Sequence, residues 1–80
     1  MTKRSVDLIF PAQMIKEPLI YEMSKKFPVI FNIRRAHVTA KVGEMVLQLE
    51  ADDEVLDEAE KWLRSKGLEV KSISRDSLES

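Results

Sequence analysis

Two alternating runs separated by almost nothing constrain this chain more than any other feature. From Val29 to Thr39 the pattern sets Val29, Phe31 and Ile33 against Ile30, Asn32 and Arg34, with β-branched residues throughout. Met45, Leu47 and Leu49 then alternate with Val46, Gln48 and Glu50. Only a tight turn around residues 41–43 lies between the runs. That is too short for the crossover that parallel strands need, so the two pair as an antiparallel hairpin. Gly43 is the residue expected to take positive φ in the turn.

Each side of the hairpin carries one helix pattern and one further strand. Before it, Val6, Leu8 and Phe10 alternate with Asp7 and Ile9 over residues 4–10, and Pro11, which has no N–H to donate, ends the run. Residues 11–17 connect to a helix opened by Pro18, in which Leu19, Ile20, Met23 and Phe27 form one stripe. Lys25 and Lys26 suit its negative end, and Pro28 closes it. After the hairpin, Asp52, Asp53 and Glu54 supply an N-cap and first-turn carboxylates. Val55, Leu56, Ala59, Trp62 and Leu63 make a second stripe, Gly67 is the expected residue just past the helix, and residues 68–73 form a last strand.

The order βαββαβ closes into one α+β, ferredoxin-like sandwich: a four-stranded antiparallel sheet, order 4-1-3-2, with both helices on one face. Residues 1–80 read as a single domain with an ordered core over about 4–73 and a polar tail, 74–80, that frays. Ile9, Ile30, Val46 and Ile73 are expected on the open face, and that apolar surface, with the unpaired edge strands, predicts a homodimer.

Composition narrows the chemistry. The 80 residues include no cysteine and one histidine, His37, so thiolate metal sites, iron–sulfur clusters and a histidine pair are excluded within one chain. No apolar run approaches the ~20 residues of a membrane span. With no secretory signal in view, a cytoplasmic location is expected. Net charge is −1, yet residues 1–41 carry +5 and residues 42–80 carry −6. The acidic group Asp52, Asp53, Glu54, Asp57 and Glu58 lacks the alternating ligands and central glycine of a calcium loop, and reads as a solvated helix start. Arg34, Arg35 and His37 beside Phe31 could suggest RNA, but the other central strand positions offer no outward aromatic on which bases would stack. No glycine-rich phosphate loop is present. The expectation is a binding module, not an enzyme, with no cofactor.

Phe10-Pro-Ala-Gln, Glu17-Pro18-Leu19-Ile20 and Lys25-Lys26-Phe27-Pro28-Val29-Ile30-Phe31-Asn32-Ile33 resemble the NIL domain. That is an ACT-like module at the C-terminus of methionine-importer ATPase subunits, found also beside ferredoxin modules and alone. The likeness runs on through Met45–Glu50 and Ala59–Leu63 to Gly67–Val70. Three departures stand out. The name-giving Asn-Ile-Leu is Asn32-Ile33-Arg34 here, Ala12 replaces a glycine, and the hairpin is short.

The resemblance implies a regulatory, ligand-sensing homodimer that binds methionine or a similar amino acid. Asn32 would contact a backbone group of that ligand, and Ile33, Met14 and Ile15 would line an apolar slot. Arg34, two positions from Asn32 along a strand and so on the same face, would clamp the carboxylate or else fill the slot. With no ATPase domain in this sequence, any signal would pass to a protein partner in trans. The alternative is an accessory protein–protein module of sulfur metabolism that needs no small ligand.

Overall fold

The computed structural model describes residues 1–73, so the expected fraying of 74–80 lies outside the described residues. Its elements are β1 (Thr2–Pro11), a 3₁₀ turn (Ala12–Met14), α1 (Leu19–Lys26), β2 (Ile30–Val38), β3 (Val42–Ala51), α2 (Asp53–Ser65) and β4 (Glu69–Ile73). The sheet order is β2-β3-β1-β4, and every neighbouring pair is antiparallel. This is the ferredoxin-like arrangement expected from the alternation of periods.

Register divides the side chains between two faces. Val6, Leu8 and Phe10 lie opposite Leu47, Met45 and Gly43, and Leu8 also lies opposite Val70. These side chains meet Leu19 and Met23 of α1 and Leu56, Ala59 and Leu63 of α2 in one core. The helices touch through Phe27 and Trp62, whose rings stand edge to face at 6.2 Å and 73°, a geometry that suits the aromatic quadrupoles.

Local chemistry sets the helix ends. Gly67 has φ +101°, its N–H donates to the Arg64 carbonyl and the Leu68 N–H donates to the Leu63 carbonyl, completing a Schellman cap. Leu68, 4% exposed, seals the cap from below. Asp52 occupies the N-cap position of α2, but its side chain makes no capping bond. The helix start is served instead by the carboxylates of Asp53 and Glu54 in its first turn.

Two expectations are corrected. Gly43 does not take positive φ; it sits inside β3, opposite both Val38 and Phe10. The turn is built by Thr39, whose N–H donates to the Val42 carbonyl at 2.8 Å while its hydroxyl oxygen accepts from the Val42 N–H at 3.1 Å. Val46 does lie on the open face by register, but it is only 2% exposed. Asp7 flanks it from β1 and Arg35 from β2, and long polar side chains cover apolar surface with their stems. Ile9 and Ile73 are half-buried, which leaves Ile30, 60% exposed, as the open apolar residue of that set.

The acidic start of α2 is more than a solvated face. Arg4 of β1 reaches Asp57 at 2.8 Å and Glu60 at 2.7 Å, with Asp53 at 3.8 Å. Glu60 is buried, and Arg64 approaches it at 3.5 Å while also donating to the Val70 carbonyl. These carboxylates, Glu60 first and Asp57 next, hold Arg4 firmly in its charged form. Part of the charge split between the two halves of the sequence is thus neutralised across the β1–α2 contact.

Candidate functional site at the edge strand

Strand β2 is nine residues long and every one of them is exposed. As an outer strand it bonds only to β3, so its far side offers unpaired backbone groups along about 30 Å. The other edge, β4, is five residues long and carries Glu69 and Lys71, the short and charged form that resists further pairing. On β2, Ile30 and Val38 are each 60% exposed, Ile33 50% and Phe31 37%.

The reason β2 stays uncovered is length. Helix α1 has eight residues, or about 12 Å, and it spends its buried side chains, Leu19 and Met23, on the common core. Among the described residues the helix-facing side of β2 is only partly covered, leaving Phe31 37% and Ile33 50% exposed. Proline at both ends fixes this brevity: Pro18 immediately precedes the helix, and Pro28 follows two residues after its end.

Register places the expected ligand residues. Asn32 lies opposite Gln48, on the open face. Ile33 lies opposite Leu47, on the helix-facing side. Arg34 has no opposite residue: it is the extra residue of a bulge between Ile33 and Arg35. The bulge interrupts the alternation from which Arg34 was placed beside Asn32, and Arg35, opposite Val46, becomes the guanidinium that register assigns to the open face. Two successive arginines within an otherwise alternating run were the sequence signal of that bulge.

Met14 and Ile15 lie elsewhere. Ile15 helps line a small, shallow apolar cleft of about 70 Å³ at the hairpin end, with Phe10, Val38, Gly43, Glu44 and Met45. Met14 packs half-buried against the core. Asn32 and Val38 are six positions apart on β2, about 15–20 Å. One chain therefore does not bring Asn32 together with Ile15. The pocket's β3 wall, Gly43 and Met45, was read from the sequence as turn and core.

The open face carries a polar group of its own. Asp7 is half-buried, and its Oδ1 is fully enclosed without a hydrogen-bond partner. Glu44 is its diagonal neighbour on the same face, across β1 and β3. Burial above all, and Glu44 next, push the Asp7 carboxyl above its ordinary range against the pull of Lys71 and Arg35. Phe31 lies on the opposite face from Arg35 and His37, so the aromatic and basic groups that suggested RNA do not share a surface.

Among the described residues no cluster of His, Asp and Glu has the geometry to hold a metal ion, and no helix is long and apolar enough to cross a membrane. A comparison with curated proteins gave no match. Among solved structures, the chain is similar to the C-terminal domain of an ABC transporter ATP-binding protein from Enterococcus faecalis. The TM-score is 0.77 at 21% identity, over 90% of this chain and 84% of that one. It also shares its fold with part of an amidohydrolase/peptidase from Burkholderia cenocepacia, with a TM-score of 0.50 at 13% identity over 90% of this chain and 27% of that one. The sequence model of the NIL domain matches residues 4–72, and with sheet order, helix placement and sequence in agreement, this chain belongs to the NIL domain family.

Proposed function

We propose that this NIL domain is a regulatory, ligand-sensing module that works as a homodimer joined along β2. The observation that carries the reading is the long, unpaired edge of β2, with Ile30, Phe31, Ile33 and Val38 exposed on either side of its two arginines, set against a short β4. A strand with these properties is a template for adding another strand. Pairing it with the same strand of a second copy gives a self-complementary, closed contact.

The same pairing accounts for the scattered ligand residues. Antiparallel β2 strands related by a two-fold axis between Ile33 and Arg34 set Ile30 of one copy beside His37 of the other, both on the open face once the bulge is counted. The Asn32 end of one chain then approaches the Ile15 pocket of the second. Methionine or a similar small amino acid fits such a seam. Asn32 pairs with its ammonium or carboxylate. Arg35, which the bulge brings to Asn32's face in place of Arg34, pairs with the carboxylate. Met14 and Ile15 of the other copy, with Ile33 on the helix-facing side, supply apolar walls. The chain acts on a protein partner, as its membership of the NIL domain family supports, and catalysis is no part of this role.

Sedimentation at ~100 µM, the Kd of a contact worth about −5.5 kcal/mol, tests the dimer; a clean monomer there overturns it. Methionine at 100 times its Kd adds about 2.7 kcal/mol to stability, so a thermal shift follows if the ligand assignment holds. A dimer without any shift from methionine or other amino acids favours the second reading, an accessory protein–protein module. The exposed strip of Phe31 and Ile33 supports that second reading, since it needs a covering surface whether or not a small ligand is present.

A further inference from the structure

We propose that Asp7 and Glu44 form a proton-operated latch across β1 and β3, in which a protonated Asp7 donates to the Glu44 carboxylate and closes the open sheet face over Val46. The geometry is that of two acceptor-only groups forced together. Register fixes them on one face, Asp7 opposite Val46 and Glu44 opposite Ile9, so they are diagonal neighbours on adjacent strands. Val46 is 2% exposed between them, and one Asp7 oxygen is enclosed with nothing to bond to. An enclosed carboxylate oxygen without a donor is costly, and a second carboxylate beside it adds repulsion. One proton removes both defects, because it makes Asp7 a donor and Glu44 its acceptor.

The surrounding charges decide the direction. From β4, Lys71 lies opposite Asp7, with Glu69 two positions away opposite Ile9. From β2, Arg35 lies opposite Val46 and His37 opposite Glu44. Lys71 and Arg35 both favour the ionised Asp7, yet burial and Glu44 outweigh them, and the native chain holds its proton to higher pH than a free aspartate does. Below the ordinary aspartate value of 3.8 the folded and unfolded chains are both protonated at Asp7, and no difference arises. As pH rises from there through the raised native value, the unfolded chain gives up its proton freely and the folded chain only at a cost. Stability falls across that window, tenfold in the folding constant for each pH unit of separation, and then levels. Acidification within the window therefore tightens the sheet face, opposite in sign to the loss expected from salt-bridged carboxylates.

The test is a carboxyl-carbon NMR titration of the whole chain, with urea unfolding of wild type, Asp7→Asn and Glu44→Gln at pH 4 to 8. Asp7 is expected to titrate above the ordinary aspartate value of 3.8, and Glu44→Gln to bring it back toward that value. Asp7→Asn, whose amide donates to Glu44 at every pH, is expected to gain stability relative to wild type as pH rises from 4 to 8. An Asp7 midpoint at or below the ordinary value overturns the latch. An Asp7→Asn difference that does not change with pH overturns it equally. Both readouts concern the folded monomer, so they stand apart from the dimer and ligand tests.

Discussion

Leu49 and Phe31 face each other across β3 and β2 on the helix side of the sheet, yet Leu49 is fully buried and Phe31 is 37% exposed. The half of the molecule built on β1, β3 and α2 is sealed. Its core leucines, its Schellman cap and the Arg4–Glu60 contact are all internal to one chain. The β2 half is open on both faces and along its outer edge. Helix α2, at thirteen residues, is about 20 Å long against about 12 Å for α1, and the shorter helix cannot roof the outer strand. Stability is thus concentrated away from β2, which leaves that strand free to be shaped by contact with another molecule.

The largest effect expected from this contrast is in the core. Leu49→Ala should cost about 2–5 kcal/mol, as cavity-forming changes do, and in a domain of this size that approaches the whole stability. Ile33→Ala, one strand away and half exposed, should stay within about 0.5 kcal/mol of wild type. Urea midpoints of the two variants decide the matter. Equal losses would mean that the two halves are not different in kind.

Next in size is Arg4→Met, which keeps most of the arginine's packing and removes its charge. Glu60 is 5% exposed and would retain only Arg64, at 3.5 Å. A buried charged group left short of a partner costs about 1–3 kcal/mol. Combining Arg4→Met with Glu60→Gln should recover much of that loss, because the amide no longer carries a charge to compensate. A double-mutant cycle by urea unfolding measures the coupling; additive losses would make the pair a surface contact.

On the open side, Ile33→Asp should weaken self-association at least tenfold, about 1.4 kcal/mol, while shifting unfolding by far less than Leu49→Ala does. Sedimentation across a concentration series reads the first effect and urea the second. If association is unchanged, the contact between copies lies away from β2.

Much of this division was legible in the sequence, because hydrophobic periods and turn residues report local structure directly. The stripe from Val55 to Leu63 gave α2, and Gly67 gave its end with the positive φ it carries. Pro18 and Pro28 bracketed α1 closely enough to show how short it is. What escaped depends on neighbours distant in sequence. Glu60 was not among the acids that the sequence singled out, because its partner Arg4 lies 56 positions away. Val46 counted as exposed because alternation reports which face a residue occupies and not what stands beside it. Asp7 and Glu44 were two unremarked acids until register made them neighbours. The bulge at Arg34 shifted the open-face partner of Asn32 to Arg35, a change that a strict two-residue period does not register. Among the ligand residues, Asn32 and Ile15 were grouped by resemblance, while the single chain holds them apart.

Gly43→Ala is the smallest expected effect and sharpens the comparison at the boundary between the halves. A Cβ at Gly43 meets Phe10 Cβ at 3.5 Å, Ile15 Cγ1 at 3.6 Å and Val38 Cγ2 at 3.7 Å, all ordinary contacts. The backbone there does not have positive φ, so alanine enters without strain. It also removes the flexibility that glycine gives the unfolded chain, which favours the fold by about 0.4–1 kcal/mol. Yet the methyl group points among three side chains that line the hairpin-end pocket, and it takes up space an apolar ligand group would need. The variant should therefore unfold at slightly higher urea and respond less to methionine in a thermal-shift titration. Stability and ligand response moving in opposite directions is a result that general damage cannot produce. If Gly43→Ala is stabilised and still responds fully to methionine, the amino acid does not use this pocket, and the Asn32 end of β2 must hold it without Ile15.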